Sequence, residues 1–81
     1  MQTKGEYRVG INFNPSGDDL VGQIKRKAAD LIDLMESIDC TPSSDAEAGE
    51  KYRLRALAQT EIESAAMWAV KAATKPPLSQ K

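Results

Sequence analysis

The sequence has no histidine and a single cysteine, Cys40. Those two shortages remove several chemistries at once. An intrachain disulfide needs two cysteines, a Cys/His zinc site needs a cluster of both residues, and a Ser–His–Asp triad needs an imidazole as its base. Aromatic residues are scarce too, with one Trp, one Phe and two Tyr in 81 residues. No run approaches the roughly 20 apolar residues of a membrane-spanning helix, and the N-terminus carries no apolar stretch of the signal-peptide kind. Acids and bases nearly cancel, 12 against 11, leaving a formal charge of −1; a binder of duplex nucleic acid ordinarily has a basic excess. The five glycines are scattered, so no phosphate-cradling loop, dinucleotide-fold fingerprint or Gly-x-Ser-x-Gly elbow is formed. These absences predict a small cytoplasmic protein with no cofactor, no metal, no membrane span and no duplex nucleic-acid partner. One domain over residues 1–81 is the expectation, at the small end of what a single core stabilises.

What the sequence does contain is helical period. "NPSGDDL" at 14–20 reads as a helix entrance, with Ser16 and Asp19 spaced as a capping box and acids at the positive end of the helix dipole. From there Val21, Ile24, Ala28, Leu31, Met35 and Ile38 recur at alternating spacings of three and four, which predicts helix over 18–39. Pro42 breaks the pattern, and Ser44 with Glu47 offers a second capping box. A second helix is predicted over 44–75, with a stripe of Leu54, Ala58, Ile62, Ala65 and Ala69, closed by "KPP". Residues 76–81 read as a frayed tail. Before the first helix, the alternation of Val9, Ile11 and Phe13 predicts an extended N-terminal arm over 1–17. The fold class is all-α, a helical hairpin with that arm.

Folding the hairpin about residues 41–42 sets Lys25 level with Ala58, Gln59 and Thr60. It also leaves the second helix overhanging by about ten residues, or ~15 Å. Met67, Trp68 and Val70 lie in that overhang, where the arm is their local cover. Two helices alone bury little, and the second is apolar or small on more than one face, so self-association is expected.

Polar residues outside the stripes carry the functional reading. Glu61 and Glu63 are two apart and point in different directions on a helix, which argues against a paired-carboxylate catalyst. Tyr7, Arg8, Asn12, Asn14, Lys25, Gln59 and Thr60 instead form a set suited to stacking on a purine and clamping phosphate. The cationic runs "KRK" at 25–27 and "KYRLR" at 51–55 fit solvated helix faces with i,i+4 pairs, or else an RNA-binding surface. A different alternative is a small helical adaptor that binds a host protein through Trp68 and Met67.

The "YR" at 7–8, "VGQIKRKAADLIDLM" at 21–35 and "ALAQTEIESAAMWAVKAATKPP" at 56–77 resemble the phage anti-CBASS protein 2 family, whose hairpin is shared with Thoeris anti-defence protein 1. The resemblance implies a homo-oligomer, a hexamer, that sequesters cyclic dinucleotide immune messengers in the host bacterial cell without cleaving them. Cyclic trinucleotides or ADP-ribose-derived cyclic messengers are further ligands it implies. Family roles carry over residue by residue. Tyr7 would stack on a base, Lys25 would meet the cyclic phosphates, and Arg8 and Asn12 would add polar contacts. Gln59 and Thr60 would fall in a separate trinucleotide pocket, although many relatives have Arg where this chain has Gln59. The lead-in is longer than in several relatives, which offers Phe13 as a second candidate for stacking.

Overall fold

The computed structural model describes residues 1–78, and every regular element among them is helical. The order is α1 (Lys4–Val9), α2 (Asp19–Glu36), a 3-10 turn (Asp45–Glu47) and α3 (Glu50–Thr74). The long helices α2 and α3 form the hairpin, and α1 lies across one side of it. Of the tail expected to fray, residues 79–81 lie outside the described residues.

The expected extended arm is in fact a helix in its first half. Thr3 and Glu6 make a complete capping box: the Thr3 hydroxyl accepts from the Glu6 N–H at 3.1 Å, and the Thr3 N–H donates to the Glu6 carboxylate at 2.9 Å. The other end closes in a Schellman turn. Ile11 N–H reaches Glu6 O at 3.0 Å and Gly10 N–H reaches Tyr7 O at 3.2 Å, with Gly10 at φ 65°, a backbone state that costs glycine little. Two good caps stabilise a helix of only six residues, and docking on α2 supplies the rest. The docking is close at Gly5, where an added Cβ would sit 2.1 Å from the Ala29 carbonyl oxygen. The Gly5 N–H, left without a partner in the first turn, donates to Asp33 at 2.7 Å.

Both hairpin helices are shorter than the periodicity suggests. Asp18, not Ser16, caps α2, accepting from the Leu20 N–H at 2.9 Å. Ser16 instead donates to Asn14 at 2.7 Å, and Asn14 holds the Asp18 carbonyl. At its far end α2 stops at Glu36, where the Ser37 hydroxyl donates back to the Leu34 carbonyl at 2.6 Å. The second helix starts at Glu50 rather than at 44, because Gly49 at φ 85° separates it from the 3-10 turn. Ser44 makes no side-chain cap; the neighbouring Ser43 donates to Glu47 at 2.5 Å.

The longer connection shifts the register of the hairpin. Gln59 hydrogen-bonds to the Ile32 carbonyl at 3.1 Å and to Glu36 at 2.9 Å, so α3 has slid about two turns from the expected alignment. Lys25 faces Ala66 and Val70 rather than Ala58–Thr60, and Thr74 comes level with Val21. The predicted overhang therefore does not exist. Met67 and Trp68 are exposed because of the direction they face, not because α2 falls short of them.

The core is small and partly polar. Val21, Ala29, Ile32, Cys40 and Ala66 are its buried apolar residues, joined by Lys25 and Gln59. Glu36 ties the three helices together. One of its carboxylate oxygens accepts from Lys4 of α1 at 2.8 Å and from Gln59 of α3 at 2.9 Å, with Arg55 Nε at 3.8 Å. The hydrogen bonds from Lys4 and Gln59 hold the Glu36 carboxyl down at a pKa of about 2. Arg55 also donates to the carbonyls of Glu36 and Ile38, at 3.4 and 3.3 Å, satisfying the end of α2 from across the hairpin.

Candidate functional site

A groove of about 420 Å³ opens where α1 and the loop after it meet α2 and α3. Tyr7, Arg8, Val9, Gly10 and Phe13 form one wall, Lys25 lies at its base, and Glu63, Ala66, Met67 and Val70 form the wall from α3. Its origin is local. The Schellman turn at Gly10 ends α1 and turns the chain so that residues 10–16 wrap over the junction of α2 and α3. Phe13 separates this groove from a smaller hollow of about 200 Å³, which reaches Val21 and Thr74.

Lys25 builds the loop. Its side chain is 8% exposed, and its ammonium donates to the carbonyls of Gly10, at 3.0 Å, and Phe13. The same ammonium stands 5.4 Å from the Phe13 ring centroid, within cation–π range. A buried charge needs such partners, and the loop carbonyls supply them. Arg8 is also engaged: its Nε donates to Glu63 at 2.6 Å and its Nη2 to the Thr60 hydroxyl at 3.3 Å.

Four of the residues singled out from the sequence thus meet around one groove: Tyr7, Arg8, Phe13 and Lys25. Tyr7 is 77% exposed and Phe13 71% exposed, so two aromatic rings flank the opening with most of their surface uncovered. Thr60 joins only through Arg8. Asn12 is exposed in the loop and is not part of the lining. Gln59 is buried two turns away, with its amide donating to Ile32 and Glu36 inside the chain. Glu63, Ala66, Met67 and Val70 belong to the groove although the sequence reading gave none of them a place in the ligand site. The i, i+3, i+4, i+7 spacing of 63, 66, 67 and 70 is a signal for one helix face, but which face met α1 depended on the hairpin register.

The cationic runs do not form a patch. Lys25 is buried, Arg26 binds Glu6 at 2.7 Å and Asp30 at 2.7 Å, and Arg53 binds Glu50 at 2.8 Å. Its hydrogen bonds to Glu6 and Asp30 raise the pKa of Arg26 above the ordinary guanidinium value. With Lys25 buried and Arg26 and Arg53 paired, the runs offer no continuous cationic surface of the kind RNA binding uses. No group of three or more candidate metal ligands occurs among the described residues, and no helix there is long and apolar enough to cross a membrane.

Compared with known families, residues 5–74 match the model described as "Acb2/Tad1, hairpin domain". No curated protein and no solved structure matches the chain.

Proposed function

The chain belongs to the Acb2/Tad1 hairpin-domain family, and from that premise we propose that it is a non-catalytic sponge for cyclic oligonucleotide immune messengers. Acting as a homo-oligomer in the cytoplasm of a bacterial host, it would hold a messenger intact and keep it from its effector. The observation that carries this reading is the groove. Two exposed rings, Tyr7 and Phe13, stand beside the cations of Arg8 and Lys25 in a space of about 420 Å³, within the roughly 300–1,000 Å³ of small-ligand sites. A cyclic dinucleotide presents matching chemistry, two base faces for the rings and two phosphate charges for the cations. Stacking and charge-assisted hydrogen bonds each contribute about 1–3 kcal/mol, and several on one oligomer reach the roughly −11 kcal/mol of nanomolar binding. Sequestration needs that tightness and no turnover.

Calorimetric titration against a panel of cyclic di- and trinucleotides tests the proposal, with the ligand recovered by heating and checked chemically. Tight binding with intact ligand returned is the expected result; cleavage, or no binding across the panel and to ADP-ribose-derived rings, would overturn it. Tyr7→Ala should weaken binding about 10-fold or more, the loss of one stacked base. Lys25→Met keeps the apolar stem but removes the ammonium, and should weaken binding while loosening residues 10–13.

A second reading, the helical adaptor, has an observation of its own. Met67 and Trp68 are both exposed, Trp68 at 62%. It requires Trp68 to stay accessible in the assembled protein, so easy acrylamide quenching of its fluorescence would favour the adaptor, and protection would not.

A further inference from the structure

Glu63 is the groove residue that stacking and phosphate binding do not explain. Rings stack and cations meet phosphate, but a carboxylate repels it. Pairing with Arg8 accounts for only part of the side chain. One carboxylate oxygen accepts from Arg8 Nε at 2.6 Å, and the other has no hydrogen-bond partner among the described residues. An ionised carboxylate offers about four acceptor sites and no donor. Glu63 is half-buried, and its neighbours along the α3 wall, Ala66, Met67 and Val70, are apolar. The cations nearby are engaged elsewhere: Arg8 Nη2 donates to Thr60 at 3.3 Å, and the Lys25 ammonium to the carbonyls of Gly10 and Phe13. The second oxygen is thus left to whatever fills the groove.

We propose that Glu63 reads the base of the ligand and selects guanine, an inference that rests on the groove being a cyclic-dinucleotide site. Of the common bases, only guanine carries two adjacent donors on its pairing edge, the N1–H and the N2 amine. A carboxylate accepts both as a matched, charge-assisted pair. Adenine sets the N1 lone pair beside its N6 amine, so one carboxylate oxygen would face a lone pair. Cytosine has the same mismatch, and uracil offers a single N–H between two carbonyls. The placement suits the contact. Tyr7 precedes Arg8 on α1, both line the groove, and Arg8 meets Glu63 across it. A base stacked on Tyr7 therefore has the carboxylate within reach of its edge. The apolar residues beside Glu63 offer that edge no competing polar group, and hydrogen bonds in such surroundings gain strength.

The test is calorimetric titration, at matched salt, of the parent and Glu63→Gln with three ligands of equal charge: cyclic di-GMP, cyclic di-IMP and cyclic di-AMP. Hypoxanthine, the base of the second, keeps the N1–H of guanine and lacks its N2 amine. The parent is expected to bind the three in that order. Cyclic di-GMP should be favoured over cyclic di-AMP by about 10-fold, since a bidentate base contact discriminates by roughly 5- to 150-fold. In Glu63→Gln the amide sets one acceptor beside one donor, the complement of adenine. Loss of the carboxylate charge favours each dianion alike, so the ratio of Kd values is the readout. That ratio should fall to unity or reverse, while cyclic di-AMP itself binds more tightly. Equal parental affinity for the three ligands would overturn base selection and leave the sponge reading standing. A guanine preference that survives in Glu63→Gln would overturn Glu63 as its source and make it a positioning residue for Arg8. No binding of any of the three would overturn the groove as a dinucleotide site, and this inference with it.

Discussion

Lys25 shows how a residue chosen for one reason can have two roles. It stands in the middle of the face of α2 that packs inward, at a heptad position where an apolar side chain would be ordinary, yet its ammonium holds the carbonyls of residues 10 and 13. A ligand phosphate at the base of the groove would compete with those carbonyls, which couples binding to the order of the loop. Arg8 has a similar competitor in Glu63, at 2.6 Å. A carboxylate in a groove proposed for an anion opposes it, so Glu63→Gln should tighten dianion binding. For a partly exposed pair the gain is about 1 kcal/mol, or roughly 5-fold, read by calorimetry at matched salt. Unchanged or weaker binding would mean that Glu63 positions Arg8 rather than competing for it. Gly5 is the opposite kind of residue, important for what it lacks. Gly5→Ala would force α1 off α2, since the added methyl has no space beside Ala29. A cost of about 1–3 kcal/mol is expected, seen as a lowered melting temperature together with weakened ligand binding.

At the scale of elements, α1 is held by its caps and by the polar junction at Glu36. Its six residues are too few to be helical alone, so the docking contacts decide whether it forms. Glu36 is the most informative of them. Its pKa is lowered to about 2 in the folded chain from a reference of 4.5. The folded state therefore binds its proton less readily than the unfolded chain does. The stability this confers is full above pH 4.5 and is lost as pH falls toward 2. Lys4 and Arg55 are the cations that face Glu36, from α1 and α3. Thermal melts between pH 5 and pH 2 should fall steeply for the parent and less steeply for Glu36→Gln. Glu6, Asp39, Glu47 and Glu50 are also lowered by hydrogen bonds, so the variant should keep part of the slope. An unchanged slope would show that the Glu36 junction is not closed in solution.

For the molecule as a whole, the relevant quantity is how little one chain buries. Five buried apolar residues, two of them alanine, give a core near the lower limit of independent stability. The radius of gyration, 16.2 Å, exceeds the roughly 12 Å of a compact chain of this length. Stability should then be linked to assembly. The melting temperature should rise with protein concentration, because subunits bind the folded and not the unfolded chain. A melting temperature independent of concentration over a 100-fold range would mean that the isolated chain is sufficient.

Much of this architecture was legible in the sequence. Two amphipathic helices, the break at Pro42 and the helical stop before Pro76 follow from local rules of period and punctuation, which need no partner. The Thr3–Glu6 box was equally local, but the alternation of Val9, Ile11 and Phe13 suggested an extended arm and obscured it. Tyr7, Arg8 and Lys25 could be nominated by type, since stacking rings and cations are recognisable without coordinates. Register and facing were not legible in the same way. Where α3 settles against α2 depends on Gln59 reaching Ile32 and Glu36, and on Gly5 letting α1 approach Ala29. Those are contacts between residues far apart in the chain, and no periodicity encodes them. The sequence by itself determined which positions are apolar; only the tertiary structure decided that Val21 turns inward beside Lys25 and Gln59 while Leu31 and Ala65 face outward, because polar contacts among three helices claim part of the inner side.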